Sequence, residues 1–513
     1  MKYNIIDTML SYLEVRHTKW YTDSVYNTHP HKYDMYGLYD ILVSYGVNAM
    51  GVNFADKDCS HLTFPCILYI NGDFVVASGI SGEKIHYNWN GRKFDLPLND
   101  FRSVWTGNAI VVDGESNAVE PNLKQHEKKY FLSRMSTSLF VVIIALAVFF
   151  ACYINHEKIG LTGFLLLLLD GAGIFTSSLL MEKTLHKNSL YGDKVCSLFH
   201  QKDCNGILMS DKSSIFGISW SEIGFSYFLS HIVVIAAFPR AISTISIMDT
   251  IIVCYPIWSI YYQWKVARQW CVLCVFVQFV LVAEGILGMG YVMNDGLQID
   301  SASILIFGAV FYILLLISHK YVTGYKAMEE NVSNLQRLRA LKANHNIFHT
   351  LIKEEKYNND IEKASTILFG NPKASMRITI LTNPHCNPCA KMHGRIENMF
   401  ESKHDKICIQ YIFSAFNESL ESSNKFLIAI YQQFGKEKAW KIYSDWYRYG
   451  KYHAKDFMNQ YKNINYNDLS VLEENKKHFE WKQKSGYMAT PTILVNGYEL
   501  TREYTIEDIK MLL

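Results

Sequence analysis

The sequence carries almost no net charge: 50 Lys and Arg against 48 Asp and Glu give a formal +2 over 513 residues. A strong field of one sign is what draws a protein to nucleic acid, so the totals point to no nucleic-acid partner. Cysteines number only 11, too few for a disulfide scaffold, and their spacings look redox-active instead. No G-x-x-x-x-G-K-S/T loop occurs, which removes the P-loop nucleotide hydrolases. The opening stretch MKYNIIDTMLSYLEV lacks the basic-then-apolar pattern of a cleaved signal peptide, so a membrane span is expected to place the protein. Internal repeats and low-complexity segments are also missing.

What is present is a sharp segregation of apolar residues. Six apolar stretches, 137–154, 161–181, 217–238, 245–263, 271–293 and 303–319, each match the roughly 20 residues needed to cross a bilayer core as a helix. Trp220, Trp258, Trp264 and Trp270 fall near their ends, where interfacial anchors belong. Residues 1–130 read as a mixed α+β domain, with a helix at 36–46 and strands at 64–70, 73–80, 83–88 and 108–112. Residues 323–356 are charged and helical. The C-terminal part alternates strand (376–382), helix (386–402), strand (407–413), a long helical region (420–485) and strand (492–495).

Three cysteine pairs carry the chemistry. Cys386 and Cys389, in Cys-Asn-Pro-Cys, follow a strand and open a helix. The partial positive charge of a helix N-terminus favours a thiolate there, which makes Cys386 the attacker and Cys389 the resolving thiol. A lone CxxC is half of a zinc site, but this domain has no second one, and no metal is expected. Thr490 and Pro491 enter a later strand in a way that suits a cis peptide bond. Cys271 and Cys274 stand at the start of an apolar helix, where thiols reach both the aqueous boundary and a lipid-soluble molecule. Cys196 and Cys204 lie in the polar connector between the second and third stretches. Counting crossings puts this connector, the start of the fifth stretch and both terminal parts on one side of the membrane, so all six thiols can exchange. Asp170, in LLLLLDGAGIF, and Glu284, ten residues after Cys274, are acids inside spans, with Glu222 near an interface. Such acids serve a proton path or stand as protonated structural carboxyls. Cys152, Cys254 and Cys408 read as packing thiols.

The region after residue 375 resembles the thioredoxin superfamily, closest to its DsbA-like branch because of the helical insert. That resemblance implies that Pro491 packs beside the cysteine pair and helps receive substrate. The stretch from Cys196 through Cys204, Ser210 and DKSSIFGISWSEIG to Cys271 and Cys274 resembles the vitamin K epoxide reductase (VKOR) family. The resemblance implies a loop pair that shuttles electrons from a thioredoxin-like partner to a membrane CxxC, and from there to a quinone of menaquinone or ubiquinone type. Ser210 then matches a family residue near the active site, and Cys274 the cysteine at the quinone. Gln278 stands where animal members carry a quinone-binding tyrosine, and its amide is expected to donate to a quinone oxygen.

Residues 26–114 are similar to the papain-like peptidase domain of bacteriocin-processing transporters. The positions of its nucleophile, base and third residue hold Tyr33, Asp73 and Asn88, which cannot form a thiolate–imidazolium pair. A degenerate peptide-binding module follows, with Cys59 and Cys66 as either a disulfide or core thiols. The expected architecture is therefore multi-domain: a papain-like α+β domain (1–125), a six-helix VKOR bundle with a four-helix core (126–322), a helical linker (323–374) and an α/β thioredoxin fold (375–513). The expected activity is oxidation of cysteine-containing extracytoplasmic proteins or peptides, by a protein integral to the bacterial inner membrane. Connectors on the cysteine side are richer in lysine, including Lys183, Lys187 and Lys265, against the usual charge rule for an outside face. The length of that connector and the need for an oxidising compartment outweigh it. A DsbD-like conduit of reverse flow, and a peptide-binding maturation factor with auxiliary redox domains, are the alternatives.

Overall fold

Apolar runs, caps and glycine contacts together set the architecture seen in the computed structural model, which describes residues 3–70, 72–112, 118–185, 213–296, 298–415, 418–461 and 463–513. Cys196, Cys204 and Ser210 lie outside the described residues. The chain forms two units, Met1–Asn27 with Lys32–Asn334, and Thr28–His31 with Leu335–Leu513.

The first unit opens with helices α1 (Ile5–Tyr12), α2 (Lys19–Thr28) and α3 (Met35–Ser44). Asp34 caps α3 by accepting the Gly37 N–H at 2.8 Å, and Leu38, Ile41 and Leu42 bury its inner face. Strands β1 (Ala49–Asn53), β2 (Cys66–Ile70), β3 (Asp73–Ser81), β4 (Lys84–Trp89) and β5 (Arg92–Pro97), helix α4 (Leu98–Val104) and strand β6 (Trp105–Val112) follow. They give an antiparallel sheet in the order β1-β6-β2-β3-β4-β5. The expected helix and the four expected strands are all here. β1 and β5 were not expected: both are edge strands, and their largely exposed residues show no inward alternation.

The membrane part comprises α5 (Leu123–Ile154), α6 (His156–Leu185), a two-residue ladder of β7 (Ser214–Ile215) and β8 (Ile218–Ser219), α7 (Trp220–Ala237), α8 (Ile242–Ile252), α9 (Cys254–Tyr261), α10 (Val272–Asp295) and α11 (Ser301–Lys342). Among the described residues, five helical segments are long and apolar enough to cross a membrane, ending with α11. The first expected stretch, 137–154, forms the C-terminal part of α5, whose described apolar run is Val142–Ile154. The fourth is a composite: α8, α9 and a π-helical turn at Tyr262–Ala267, closed by Arg268 at φ 50°. Glycines fix how closely these helices approach. A Cβ on Gly288 of α10 would meet the Ser246 carbonyl of α8 at 2.4 Å, and one on Gly173 of α6 would meet the Phe228 ring of α7 at 2.6 Å.

Contacts within the bundle define its two ends. At one end, Thr184 of α6 meets Ser221 of α7 through their hydroxyls at 3.3 Å, and Glu222 of α7 accepts from His319 of α11 at 2.9 Å. At the other, Asn155 after α5 donates to the Ala236 carbonyl at the close of α7, and Thr244 of α8 accepts the N–H of Asp300 before α11. Glu222 is thus a structural carboxylate, since it also completes the capping box with Ser219.

In the second unit, α12 (His345–Ile352) leads to a sheet of β9 (Leu368–Gly370), β10 (Met376–Thr382), β11 (Ile407–Phe413), β12 (Thr492–Val495) and β13 (Tyr498–Glu499), in the order β13-β12-β10-β11-β9. Only β10 and β11 run parallel. Helices α13 (Asn387–Lys403), α14 (Glu418–Arg448), α15 (Ala454–Asn459), α16 (Leu469–Ser485) and α17 (Ile506–Lys510) complete it. The 323–374 stretch is not wholly helical, because it carries β9, whose Phe369 is buried among Tyr411, Trp440 and Tyr443.

The glycine contacts give a direct test. Gly288→Ala forces α8 and α10 apart and is expected to destabilise the full-length protein in detergent by about 1–3 kcal/mol, as overpacking does. Gly290→Ala, which meets nothing within 4 Å, should leave its thermal midpoint unchanged. Equal midpoints for the two variants would contradict this packing.

Candidate active site

Two CxxC motifs are built alike. Cys386 is the N-cap of α13, in extended conformation at φ −77° and ψ 130°, and its sulfur accepts the Cys389 N–H at 3.2 Å. Cys271 is the N-cap of α10, at φ −107° and ψ 110°, and its sulfur accepts the Cys274 N–H at 3.4 Å. A cap side chain normally offers oxygen to these unpaired N–H groups, and here sulfur takes its place. No cysteine among the described residues is in a disulfide.

The surroundings separate the two members of each pair. Cys386 is partly exposed and its thiol points to the Thr490 carbonyl at 3.7 Å, with Thr490–Pro491 in the cis form. Pro491 thus follows directly on the carbonyl that the Cys386 thiol faces. Cys389 is buried, and its sulfur accepts the Asn383 N–H at 3.4 Å. Burial pushes the Cys389 thiol up to about 11, as suits a resolving group that stays protonated until called on. Trp446 floors the motif by donating to the Pro384 carbonyl at 3.0 Å.

In the bundle the exposure is reversed. Cys271 is fully buried, its N–H held by Gln263 Oε1 at 3.0 Å, while Cys274 lines a cavity of about 560 Å³. Trp220, Tyr255 and Leu281 are part of the cavity's apolar wall, and Ser259 and Gln278 are among its polar lining residues. Gln278 donates to Ser259 Oγ at 2.6 Å, and its Oε1 has no partner. With one N–H spent on Ser259, the amide keeps its second N–H and the unpartnered Oε1. Thr184 and Ser213, near the last and first described residues on either side of 186–212, line the same cavity. The described residues on either side of 186–212 thus border the cavity that Cys274 lines.

The acids expected inside spans, Asp170 and Glu284, are both fully buried. Sequence reading missed their neighbours His231 and Asp249, also fully buried. The available signal was a titratable residue in each of the apolar helices FLSHIVV and SIMDTII.

The N-terminal sheet holds no cysteine nucleophile in place. Tyr33 is exposed, Asp73 accepts from Trp89 Nε1 at 2.7 Å, and Asn88 accepts the Gly91 N–H at 3.0 Å. Cys59 and Cys66 are buried in one core cluster as unbridged thiols, and burial raises both above the ordinary thiol range. Of the two readings left open for them, the structure shows core thiols.

Three family models match the chain in order: the Peptidase C39 family over residues 5–117, the vitamin K epoxide reductase family over 164–288, and a thioredoxin family over 362–513. The chain thus joins a C39-like, a VKOR and a thioredoxin-like domain. Among solved structures, a thioredoxin-like oxidoreductase from Silicibacter pomeroyi is similar at 13% identity, with 28% of this chain and 88% of that one covered and a TM-score of 0.23. DsbA from Chlamydia trachomatis is similar at 17% identity, with 28% and 87% covered and a TM-score of 0.24. BdbD from Bacillus subtilis, in its oxidised form, is similar at 13% identity, with 30% and 93% covered and a TM-score of 0.25. No curated protein matches the chain. The VKOR and thioredoxin-like domains make it a thiol–disulfide oxidoreductase, and its long apolar helices make it a membrane protein.

The raised Cys389 thiol yields a pH signature. Thiolate, the alkylated species, forms only as pH climbs through the thiol's own value. Site-resolved alkylation of the reduced protein should show the Cys389 rate rising through about 11. A rate that levels off above an ordinary thiol value of about 8.5 would contradict its burial.

Proposed function

We propose that the chain is a quinone-linked thiol oxidase that makes disulfides in extracytoplasmic proteins or peptides, and that it sits in a bacterial inner membrane with its cysteines on the outer face. The observation that carries this reading is the placement of Cys274 in an apolar cavity bordered by the roots of the cysteine-bearing connector. That cavity's volume lies within the roughly 300–1,000 Å³ usual for small-molecule sites. The residues also fit such an acceptor chemically. The unpartnered Gln278 Oε1 matches the hydroxyl of a quinol, which donates, and aromatic walls match its ring.

The sulfur steps follow from accessibility and pairing. A substrate thiolate attacks the Cys386 sulfur of a Cys386–Cys389 disulfide; a second substrate thiol then displaces Cys386, and the substrate leaves oxidised. The Cys386 thiolate next attacks Cys196 of the loop disulfide, Cys204 leaves, and Cys389 resolves the mixed disulfide. Cys204 then exchanges with Cys271, which frees Cys274 as a thiolate inside the cavity. Each exchange trades one S–S bond for another. Per turnover one dithiol loses two electrons and two protons, and one quinone gains them. Ser210 is assigned a supporting place near the loop pair, and Pro491 shapes the receiving surface at Cys386. The N-terminal domain, which lacks a nucleophile, holds peptide without cleaving it.

The test is quinol formation by purified protein supplied with a reduced dithiol and a soluble quinone. Wild type should turn over, and Cys274→Ala should lose about 10³-fold or more, the scale on which removal of a nucleophile is felt. Cys386→Ala should abolish oxidation of a protein substrate yet keep quinol formation with a small dithiol. Absence of quinol in the wild type, with reduced protein products accumulating instead, would contradict the reading and favour flow in the opposite direction.

A further inference from the structure

Four helices of the bundle each send one titratable side chain to a common point. Asp170 comes from α6, His231 from α7, Asp249 from α8 and Glu284 from α10, and all four are fully buried. His231 Nδ1 lies 3.2 Å from Asp170 Oδ1, and its Nε2 lies 3.5 Å from Asp249 Oδ1. One ligand atom each from Asp170, His231 and Glu284 fall within 4.8 Å of one another. We propose that Asp170, His231 and Glu284 form a binding site for a divalent transition-metal cation, of the zinc, manganese or iron(II) kind, inside the helical bundle.

The second observation is how these groups aim. Both oxygens of Asp170, both nitrogens of His231 and both oxygens of Glu284 make no hydrogen bond, although the atoms are close. Groups that pair directly point at each other. Groups that share an ion point at a centre between them, about 2.0–2.2 Å from each, and so sit near one another without hydrogen-bond alignment. The second nitrogen of His231 faces Asp249 Oδ1 at 3.5 Å. A metal-bound imidazole typically turns its other N–H toward a carboxylate, and Asp249 stands there. Asp249 is itself fixed by the Tyr227 hydroxyl, which donates at 2.6 Å.

Charge and chemistry narrow the occupant. Two ligating carboxylates neutralise a divalent ion, which is how acids with no exposure survive in a bundle interior. One imidazole with two carboxylates suits zinc, manganese or iron(II), whereas calcium and magnesium favour oxygen-only shells and copper(I) favours thiols. Close approach at Gly285 and Gly288 holds α8 and α10 near enough for Asp249 and Glu284 to share one region. Tyr227 also lines the cavity of Cys274, so the ion is linked to that cavity through Tyr227 and Asp249.

The test is metal analysis of the full-length protein, purified from cells supplemented with zinc, manganese and iron. Thiols are capped with N-ethylmaleimide before desalting, so that cysteines retain none. About one equivalent per chain is expected in the wild type, lost in Asp170→Asn and His231→Gln. Asp249→Asn should keep the site but weaken it about 10–100-fold. Should the ligand variants fail to fold, cobalt(II) added to the thiol-capped wild type must give a ligand-field band without thiolate charge transfer. Wild type free of metal under every supplement would overturn the proposal. So would an infrared carboxylic-acid band in the wild type that disappears in Asp170→Asn, because protons would then hold the site.

Discussion

A cysteine sulfur standing at the N-cap of a helix, taking the N–H of the cysteine three residues on, is the contact on which the redox reading depends. It occurs twice, at Cys386 on α13 and at Cys271 on α10. Helix ends leave N–H groups unpaired, and a negative or polarisable atom there is stabilised by those groups and by the helix dipole. The same contact ties the backbone of the second cysteine of each pair to the sulfur of the first. The elements behind the motifs differ, a strand-to-helix turn in one case and a π-helical turn in the other. The local solution is nevertheless the same.

Surroundings then give each pair its task. At the thioredoxin-like motif the first cysteine is partly exposed and the second is buried, which suits trade with other proteins. In the bundle the first is buried and the second borders an apolar cavity, which suits trade with a small apolar acceptor. Thr184 and Ser213 line the same cavity as Cys274, and Glu222 of α7 meets His319 of α11.

Local signals made much of this legible in advance. Cys-Asn-Pro-Cys after an apolar strand, a proline entering a later strand, and apolar runs of span length each depend on neighbours within a turn or two. Elements set by distant packing were not legible. β1 and β5 are edge strands whose exposed residues leave no period to read. The span at 245–263 hides a break at Val253 and the start of a π-helical turn. His231 and Asp249 look like isolated polar residues until glycine-mediated packing of four helices brings them to Asp170 and Glu284. That one N–H of Gln278 goes to Ser259, a residue 19 positions away, was likewise not legible.

The central claim is that electrons pass between thiols on one face of the membrane. Its most direct test labels intact cells with a membrane-impermeant maleimide, using full-length variants that keep Cys196 or Cys386 as the only reactive thiol. The account predicts that both are modified from outside. Modification of one from outside and the other only after the membrane is opened would place the two pairs on opposite faces, and the relay could not operate.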